Sequence, residues 1–330
     1  MSAKIAVAVS GGVDSFLAYK ILSKKYRCKA FYARFFDDDI PDFSGIRDVQ
    51  ILDLRKEFKK DVIEHFLSEL EQGKTPNPCV LCNAKIKFGI LFKKALELSK
   101  ADFLATGHFV RLDNGIITTG DDLIHDQSYF LCQVKKQVLD KCIFPLSKLN
   151  KEQVKKEATK LGFKLGKSSA DLCFMKSKKT RDFIKENLSL RPGEMITKNG
   201  QFLARHEGLA LCTLGQKKIN HGQEKEFFVI SKNPSRNQLV LGDREDLFSK
   251  EIKCHSVNFF MDKYKNKAEF KAKVKIRYRE SPKKALLKTK DGLINVFFRE
   301  PVWAPAPGQY AAFYDDKRMI GGGEMMSVRN

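Results

Sequence analysis

Apolar runs and amphipathic segments alternate along the first half of the chain. Residues 4–10, KIAVAVS, are almost continuously apolar, which is typical of a parallel strand buried on both faces. Residues 13–26 then place apolar side chains at helical spacing. The same succession predicts strands at 28–36, 49–54 and 101–108, and helices at 55–70 and 83–100. This order predicts an α/β fold for residues 1–165, a parallel sheet with helices on both faces.

The pattern changes after residue 165. Residues 167–175, KSSADLCFM, read as a loop, and a helix is predicted near 181–188. Residues 191–209 have hairpin character, with Asn199-Gly200 as the turn. From about 245 onward, short apolar strands separated by turns dominate, which predicts a small β-barrel. The expected organisation is therefore three domains, at residues 1–165, 166–244 and 245–330.

The segment KAKVKIRYR, residues 271–279, alternates strictly between charged and apolar positions. Period two predicts a strand whose charged side chains all point one way. These are Lys271, Lys273, Lys275, Arg277 and Arg279. Such a row is unfavourable unless water screens it or phosphates neutralise it. It predicts an RNA-binding strand, with a charged edge strand that resists aggregation as the alternative.

The overall charge points to the same kind of partner. The chain has 330 residues, with 61 Lys and Arg against 40 Asp and Glu, which gives a net charge of +21. A bias of this size favours a polyanion, most often nucleic acid. No apolar run approaches the roughly 18 residues of a membrane span, so we expect a cytoplasmic protein without a membrane partner. Its eight cysteines are then mostly reduced and do not form a disulfide framework.

A glycine turn joins the first strand to the first helix. The sequence AVSGGVDS lets the backbone turn tightly, and the amides of the following helix N-terminus can bind an anion. Asp14 can hold Mg²⁺ against phosphate oxygens, and Ser15 can donate a hydrogen bond to them. The motif lacks the lysine of a Walker A loop and the spacing of a dinucleotide fingerprint. The candidate nucleotide-binding residues are Ala8, Val9, Ser10, Gly11, Gly12, Val13, Asp14 and Ser15.

Two cysteines lie in the proline-rich stretch KTPNPCVLCN, residues 74–83. Pro76 and Pro78 predict an irregular loop, with a helix starting at about Asn83. Cys82 then lies near a helix N-terminus with lysines close by, which predicts a thiolate. A zinc site is disfavoured because no second CxxC pair exists. An iron–sulfur cluster held by Cys79, Cys82 and Cys173 stays open.

The loop residues SGGVDS resemble the PP-loop ATP pyrophosphatases, which cleave ATP between the α and β phosphates. Further motifs are similar to those of the tRNA-specific 2-thiouridylase family, and they occur in the same order nearly end to end. They are GKTPNPCVLCNAKIKF, ATGHF, DQSYFL, SADLCF, LGQKK, IRYRE and PGQYAAFYDD followed by GGG. The resemblance implies a HUP-like PP-loop domain, a small central domain and a C-terminal β-barrel. It also implies ATP and Mg²⁺, tRNAs for Lys, Glu and Gln as substrates, and a persulfide sulfur donor such as a cysteine desulfurase or a relay protein.

The resemblance assigns roles to individual residues. Cys82 matches the nucleophile, and Cys173 matches the cysteine that carries the incoming persulfide. Ala33 and Gly107 complete the ATP site of residues 8–15. The positions that match tRNA contacts are Asn77, Pro78 and Cys79 beside the target base, and His108, His125, Asp126, Gln127, Arg277, Tyr278 and Gln309.

Two alternatives stay open at this point. One is another PP-loop RNA-thiolating enzyme that depends on an iron–sulfur cluster. The other is a tRNA-binding sulfur carrier that does not turn over ATP, although the intact SGGVDS motif argues against it.

Overall fold

The computed structural model describes residues 3–37, 40–166, 172–175, 179–219 and 226–326. Within them, the strands form three sheets. In chain order the strands are β1 (Lys4–Val9), β2 (Arg27–Arg34), β3 (Gln50–Asp53), β4 (Phe103–Ala105), β5 (Arg111–Asp113), β6 (Ile116–Thr118), β7 (Cys142–Ile143), β8 (Gly193–Thr197), β9 (Phe202–His206), β10 (Lys217–Ile219), β11 (Glu226–Asn233), β12 (Gln238–Gly242), β13 (Phe248–Phe259), β14 (Glu269–Lys275), β15 (Lys283–Lys290), β16 (Leu293–Trp303), β17 (Tyr310–Asp315) and β18 (Arg318–Met325).

The α-helices in the same residues are mostly short. They are α1 (Val13–Ser23), α2 (Arg55–Phe58), α3 (His65–Glu71), α4 (Pro78–Leu81), α5 (Phe92–Ser99), α6 (Lys136–Leu139), α7 (Lys151–Lys160), α8 (Thr180–Asn187) and α9 (Asp262–Lys265). Two π-helical stretches, Lys59–Glu64 and Cys82–Leu91, join α2 to α3 and α4 to α5. Each pair therefore forms one continuous helical rod.

The first sheet is parallel, as the sequence predicted, with the order β3-β2-β1-β4-β7. The middle of its central strand β1 is fully buried, since Ile5, Ala6 and Val7 are each at most 1% exposed. Successive strands β1, β2 and β3 extend the sheet to one side, whereas β4 lies on the other side of β1. The carboxyl ends of β1 and β4 therefore flank a switch in strand order, where α/β sheets bind ligands.

The helix that carries the CxxC pair begins five residues earlier than predicted. It starts at Pro78, and the side chain of Asn77 caps it by accepting a hydrogen bond from the Val80 N–H at 3.3 Å. Proline fits the first helical position because its missing N–H has no partner there in any case. The prediction that Pro78 keeps this stretch irregular was wrong.

The predicted hairpin of the central part is present. Strands β8 and β9 pair antiparallel, and Gly200 adopts the left-handed conformation with φ of 82°. The sheet has the order β10-β11-β12-β8-β9. The helix predicted near 181–188 is α8.

The last part of the chain forms the predicted barrel. Strands β13, β16, β15, β14, β17 and β18 pair in that order, and pairing of β18 with β13 closes the barrel. The β5–β6 hairpin from the first half of the chain joins it where Thr118 pairs with Arg318. Tyr314 and Met319 of the barrel belong to the same buried cluster as Phe31 and Cys82 of the first sheet's domain, so the two parts share a core.

The alternating basic segment is a strand only in its first part. Phe270, Ala272 and Val274 are buried inside the barrel, while Lys271 is exposed. However, β14 ends at Lys275, and Arg277 lies in the bend that follows. The prediction of one continuous strand through residue 279 was therefore wrong.

None of the helices in the described ranges has the length and apolar character needed to cross a membrane.

Candidate active site

The loop between β1 and α1 has the geometry of an anion-binding turn. Gly11 adopts a φ of 76°, and a Cβ there would lie 2.4 Å from the Cβ of Pro41. Gly12 is the N-cap of α1 and has no side chain that could cap the first amides. The Ser15 hydroxyl accepts a hydrogen bond from the Ser10 N–H and donates one to the Gly12 carbonyl, both at 3.0 Å. These bonds hold the turn closed around the helix N-terminus.

Gly107 follows β4 and lies against this turn. A Cβ at Gly107 would come within 2.7 Å of the Asp14 carbonyl carbon and 2.8 Å of the Ser15 nitrogen. Only glycine fits such a close backbone approach. Ala33 is buried on the neighbouring strand β2. The structure thus places Gly107 against the turn.

A lysine that the sequence interpretation missed lies at the same turn. Lys151 Nζ is 2.7 and 2.6 Å from the two carboxylate oxygens of Asp14. Lys151 is the first residue of α7, whose start is fixed by a capping box between Asn150 and Gln153. Its ammonium also lies 5.3 Å from the centre of the Phe109 ring. The capping box could have predicted the helix start, but no local signal links positions 14 and 151.

Cys79 and Cys82 lie on the helical rod that begins at Pro78. Desolvation raises the pKa of Cys79 to about 11 and that of Cys82 to about 12. The charge of Lys87 acts in the opposite direction on both. Cys82 is the fifth residue of the rod and is 6% exposed, so it is not at a helix N-terminus. The prediction of a thiolate at Cys82 was therefore wrong for this structure.

Cys173 lies close to these two thiols. A negative charge on Cys173 would raise the pKa of both Cys79 and Cys82, so the three sulfur atoms interact electrostatically. Cys173 is exposed, although nearby protein atoms still raise the pKa of its thiol, against the effect of Lys87. Its neighbour Phe174 anchors the segment, with ring contacts to the residues Phe58, Phe66 and Phe183.

Parts of the predicted SADLCF motif, residues 169–171, lie outside the described residues. Within the described residues, no three His, Cys, Asp or Glu side chains are grouped so that they could hold a metal ion.

Gln309 fastens the start of the CxxC helix to the barrel. Its Nε2 donates to the Thr75 carbonyl at 2.8 Å, and its Oε1 accepts from Asn77 Nδ2 at 3.3 Å. Next to it, the Thr75 N–H donates to the Pro307 carbonyl at 2.8 Å. Gln309 and Asn77, which the resemblance linked to tRNA, are therefore in contact with each other.

His108 is enclosed by aromatic rings. The ring centres of Phe88 and Phe144 lie 5.5 and 6.3 Å away, and Nδ1 is 2.8 Å from the Thr106 hydroxyl. Desolvation and the nearby charge of Lys87 lower the pKa of His108 to about 3. The imidazole is therefore neutral at physiological pH.

Residues 125–127 directly precede Ser128, whose hydroxyl lies 3.0 Å from that of Tyr314 in the barrel. Asp126 is buried, accepts hydrogen bonds from Gly120 N–H and Ser128 Oγ, and has a pKa raised by desolvation. Gln127 Oε1 accepts from the Phe109 N–H at 3.0 Å. His125 is partly exposed, with Nδ1 2.9 Å from Asp122. The side chain of His125 is 45% exposed, whereas Asp126 is buried.

Arg277 and Tyr278 lie in the bend after β14. The Arg277 guanidinium is 5.0 Å from the centre of the Trp303 ring and donates to the Ala304 carbonyl. The Tyr278 ring lies 4.5 Å from that of Phe130 in the first domain. The bend therefore lies where the barrel meets the first domain.

Models of known protein families match almost the whole chain. A tRNA methyl transferase HUP domain model matches residues 3–177, and a tRNA methyl transferase PRC-barrel domain model matches residues 181–243. An aminomethyltransferase β-barrel domain model matches residues 249–325. The first match includes the turn at Gly11, the CxxC pair and Cys173.

Curated relatives match over nearly their full lengths. The tRNA-specific 2-thiouridylase MnmA 1 of Fusobacterium nucleatum is 35% identical over 97% of this chain and 92% of the relative. The chain belongs to the tRNA-specific 2-thiouridylase family. The MnmA proteins of Fervidobacterium nodosum and Campylobacter jejuni are 34% and 35% identical, each over 97% of this chain and over 98% and 99% of the relative.

Membership of the tRNA-specific 2-thiouridylase family identifies the chain as an enzyme that uses ATP, because the family is of the PP-loop type. It also agrees with the parallel sheet, the central sheet and the closed barrel described above.

Proposed function

We propose that this protein replaces O2 of the wobble uridine of tRNA with sulfur, and that it forms 2-thiouridine, AMP and pyrophosphate. The observation that carries the proposal is the grouping of Cys82 and Cys173 on the domain that holds the glycine turn. The relatives named as tRNA-specific 2-thiouridylases support it. The substrates we propose are tRNAs for Lys, Glu and Gln.

ATP binds at the turn from Ala8 to Ser15, with its phosphates on the first amides of α1. Asp14 would hold Mg²⁺, and the ion would supply positive charge to the phosphates of ATP. The residues fit a cation, because the Asp14 carboxylate already accepts an ammonium at 2.6 Å. Lys151 brings to the turn the positive charge that a Walker A lysine supplies in other folds. Ala33 and Gly107 complete the site.

Activation of the uridine precedes sulfur transfer. The C2 carbonyl of uracil is a poor electrophile, and its oxygen is a poor leaving group. Attack of O2 on the α-phosphate of ATP releases pyrophosphate and gives an O2-adenylate. The oxygen can then leave as part of AMP, and the amides of the turn stabilise the charge that develops on the phosphates.

Sulfur arrives as a persulfide on Cys173, the more exposed of the two catalytic thiols. The terminal sulfur attacks C2, and AMP leaves with the original oxygen. Cys82 then attacks Cys173 Sγ, which cleaves the S–S bond and frees the thiocarbonyl. Alternatively, Cys82 attacks the persulfide first and releases hydrosulfide as the nucleophile. Either route leaves a Cys82–Cys173 disulfide that an external reductant must reopen.

Cys82 needs to lose its proton for either route. Because desolvation holds its pKa at about 12, its thiolate is scarce before tRNA docks. Lys87 is the cation whose charge favours all three thiolates. Lys85 is half-exposed on the same rod and lies 3.9 Å from Asp61. We therefore assign the stabilisation of the thiolates to Lys87.

The tRNA lies across the first domain and the barrel. Asn77, Pro78 and Cys79 flank the target base, and His125 contacts the RNA. Asp126, Gln127, Arg277 and Tyr278 shape the seam between the two domains where the tRNA docks. His108 and Gln309 support the pocket through Thr106 and Thr75. A cysteine desulfurase or a relay protein supplies the persulfide.

The test is a reconstituted reaction with unmodified tRNA, ATP and a persulfide donor, followed by mass spectrometry of the nucleosides. We expect 2-thiouridine at the wobble position, with one pyrophosphate released per product. Cys82→Ser and Cys173→Ser abolish the product, while Cys28→Ser, a half-buried thiol on β2, retains it. Full activity of Cys173→Ser would contradict the proposed relay. Absence of pyrophosphate would favour a sulfur carrier, and iron bound through three cysteines would favour a cluster enzyme.

A further inference from the structure

Three adjacent barrel strands present an uncovered outer face. On β14, β15 and β16 the inward positions Ala272, Ala285 and Phe298 are buried. The outward positions form two rows across the strands. One row contains Lys271, Leu286 and Phe297, and the other contains Lys273 and Lys284. Arg299, which follows Phe298 on β16, lines the same groove. Together the strands line a groove of about 550 Å³.

The groove continues from the seam with the first domain. On the adjacent strand β17, Tyr314 occupies the outward position beside Lys273, and the first domain covers it through a 3.0 Å hydrogen bond to Ser128. Further along β14, Lys275 Nζ lies 5.7 Å from the Tyr278 ring, and the charge of Asp126 acts on it. The open face therefore begins where this domain stops covering the barrel.

The charge of this face is positive. Asp315 and Asp316 line one end, but each already pairs with a lysine, Lys263 and Lys273 respectively. In the part of the chain that the structure describes, three further cations on the face have no ion-pair partner. They are Lys271, Lys284 and Arg299.

An exposed aromatic ring lies among these cations. The side chain of Phe297 is 38% exposed, and Leu286 separates it from Lys271 across the strands. Lys288 Nζ lies 5.9 Å from the centre of its ring. An open aromatic ring surrounded by cations is the arrangement with which proteins bind single-stranded nucleic acid, since any base can stack on the ring while cations bind the phosphates.

We propose that this groove binds an unpaired nucleotide of the tRNA, with its base stacked on Phe297 and its flanking phosphates on Lys271, Lys284 and Arg299. The proposal rests on the proposed function, since it assumes that tRNA is the substrate. Stacking on one ring is tolerant of base identity, so the contact adds affinity rather than choosing among tRNAs. An acidic protein could bind the cations, but its binding would not require an aromatic ring. The test therefore measures whether binding depends on the ring of Phe297.

The experiment measures tRNA affinity by fluorescence anisotropy at several salt concentrations. Phe297→Ala weakens binding about tenfold, because the stacking of a base on the aromatic ring is lost. Phe297→Trp keeps the affinity, whereas Phe297→Leu, which preserves apolar bulk, loses it as Phe297→Ala does. Phe248→Ala, another exposed aromatic on the barrel but on β13, binds as the unmodified chain does.

Lys284→Gln distinguishes the contribution of phosphate contacts to tRNA affinity from that of base stacking. It lowers the slope of log affinity against log salt by about one, because one phosphate contact is lost, while Phe297→Ala leaves the slope unchanged. Unchanged affinity of both Phe297→Ala and Phe297→Leu overturns the proposal and leaves an acidic protein as the occupant. Thiolation by the unmodified enzyme is measured in parallel. Failure of that reaction refutes the proposed function itself. If thiolation is normal but substitution of Phe297 leaves tRNA affinity unchanged, only the proposal that the groove binds a nucleotide is refuted.

Discussion

The ammonium of Lys151 lies 2.6 Å from the carboxylate of Asp14, although 137 residues separate them in the chain. The two residues are the first residue of α7 and the second residue of α1. The pair places a lysine beside a glycine turn whose own sequence contains none. The turn therefore acquires its positive charge from a different element of the domain.

Removal of this charge slows the activation step. Lys151→Gln lowers the rate of tRNA-dependent pyrophosphate release about a hundredfold, since one group that stabilises developing phosphate charge is lost. Lys155→Gln, an exposed lysine on the same helix, leaves the rate unchanged. Equal rates for the two variants, measured by a coupled pyrophosphate assay, would show that Lys151 only supports the fold.

Gly107 tests whether the turn must keep its shape. Gly107→Ala forces a Cβ to within 2.7 Å of the Asp14 backbone, so the first turn of α1 has to move. We expect ATP affinity, measured by isothermal calorimetry, to fall at least tenfold. Gly166→Ala is the control, because its Cβ has no neighbour within 4 Å. Normal ATP binding by Gly107→Ala would mean that the turn is not where ATP binds.

The reactivity of Cys82 follows from its pKa of about 12. At pH 7 roughly one thiol in 10⁵ is ionised, and alkylation requires the thiolate. The rate of iodoacetamide labelling at Cys82, followed by peptide mass spectrometry, therefore rises about tenfold per pH unit from pH 7 to pH 10. Lys87→Gln slows labelling further because a favourable charge is lost, while Lys85→Gln has no effect. A rate that levels off near pH 8 would contradict this prediction.

Gln309 is predicted to act through the CxxC helix. Gln309→Leu removes hydrogen bonds to Thr75 and Asn77, which lowers the thiolation rate about tenfold and changes tRNA affinity less than twofold. Gln133→Leu removes a comparable 2.9 Å bond to Gly322 and tests for a general loss of barrel stability. A parallel loss of tRNA affinity in Gln309→Leu would assign the side chain to direct RNA contact instead.

Local patterns predicted much of this fold. The apolar run of β1 and the period-two segment of β14 were correct because each depends on which face is buried. The turn at Gly11 was recognisable because its φ of 76° favours glycine. Asn199-Gly200 identified a hairpin for the same reason.

The errors have physical causes too. Pro78 was taken as a breaker, but Asn77 caps the helix and proline fits its first position. The helix therefore starts earlier and leaves Cys82 in its interior, where desolvation raises its pKa despite the opposing charge of Lys87. Arg277 was assigned to a strand by alternation alone, whereas its stacking on Trp303 belongs to a bend. The pairing of Lys151 with Asp14 is a tertiary contact, and no local sequence pattern predicts it.

The central claim is that the glycine turn and two distant thiols act on one uridine. The most direct measurement is peptide mapping without reductant after a single turnover of persulfide-loaded enzyme with ATP and tRNA. The account predicts one disulfide between Cys82 and Cys173 for each 2-thiouridine formed, and no 2-thiouridine when ATP is omitted. Stoichiometric 2-thiouridine with both thiols free, or with Cys79 as the bonded partner, would contradict it.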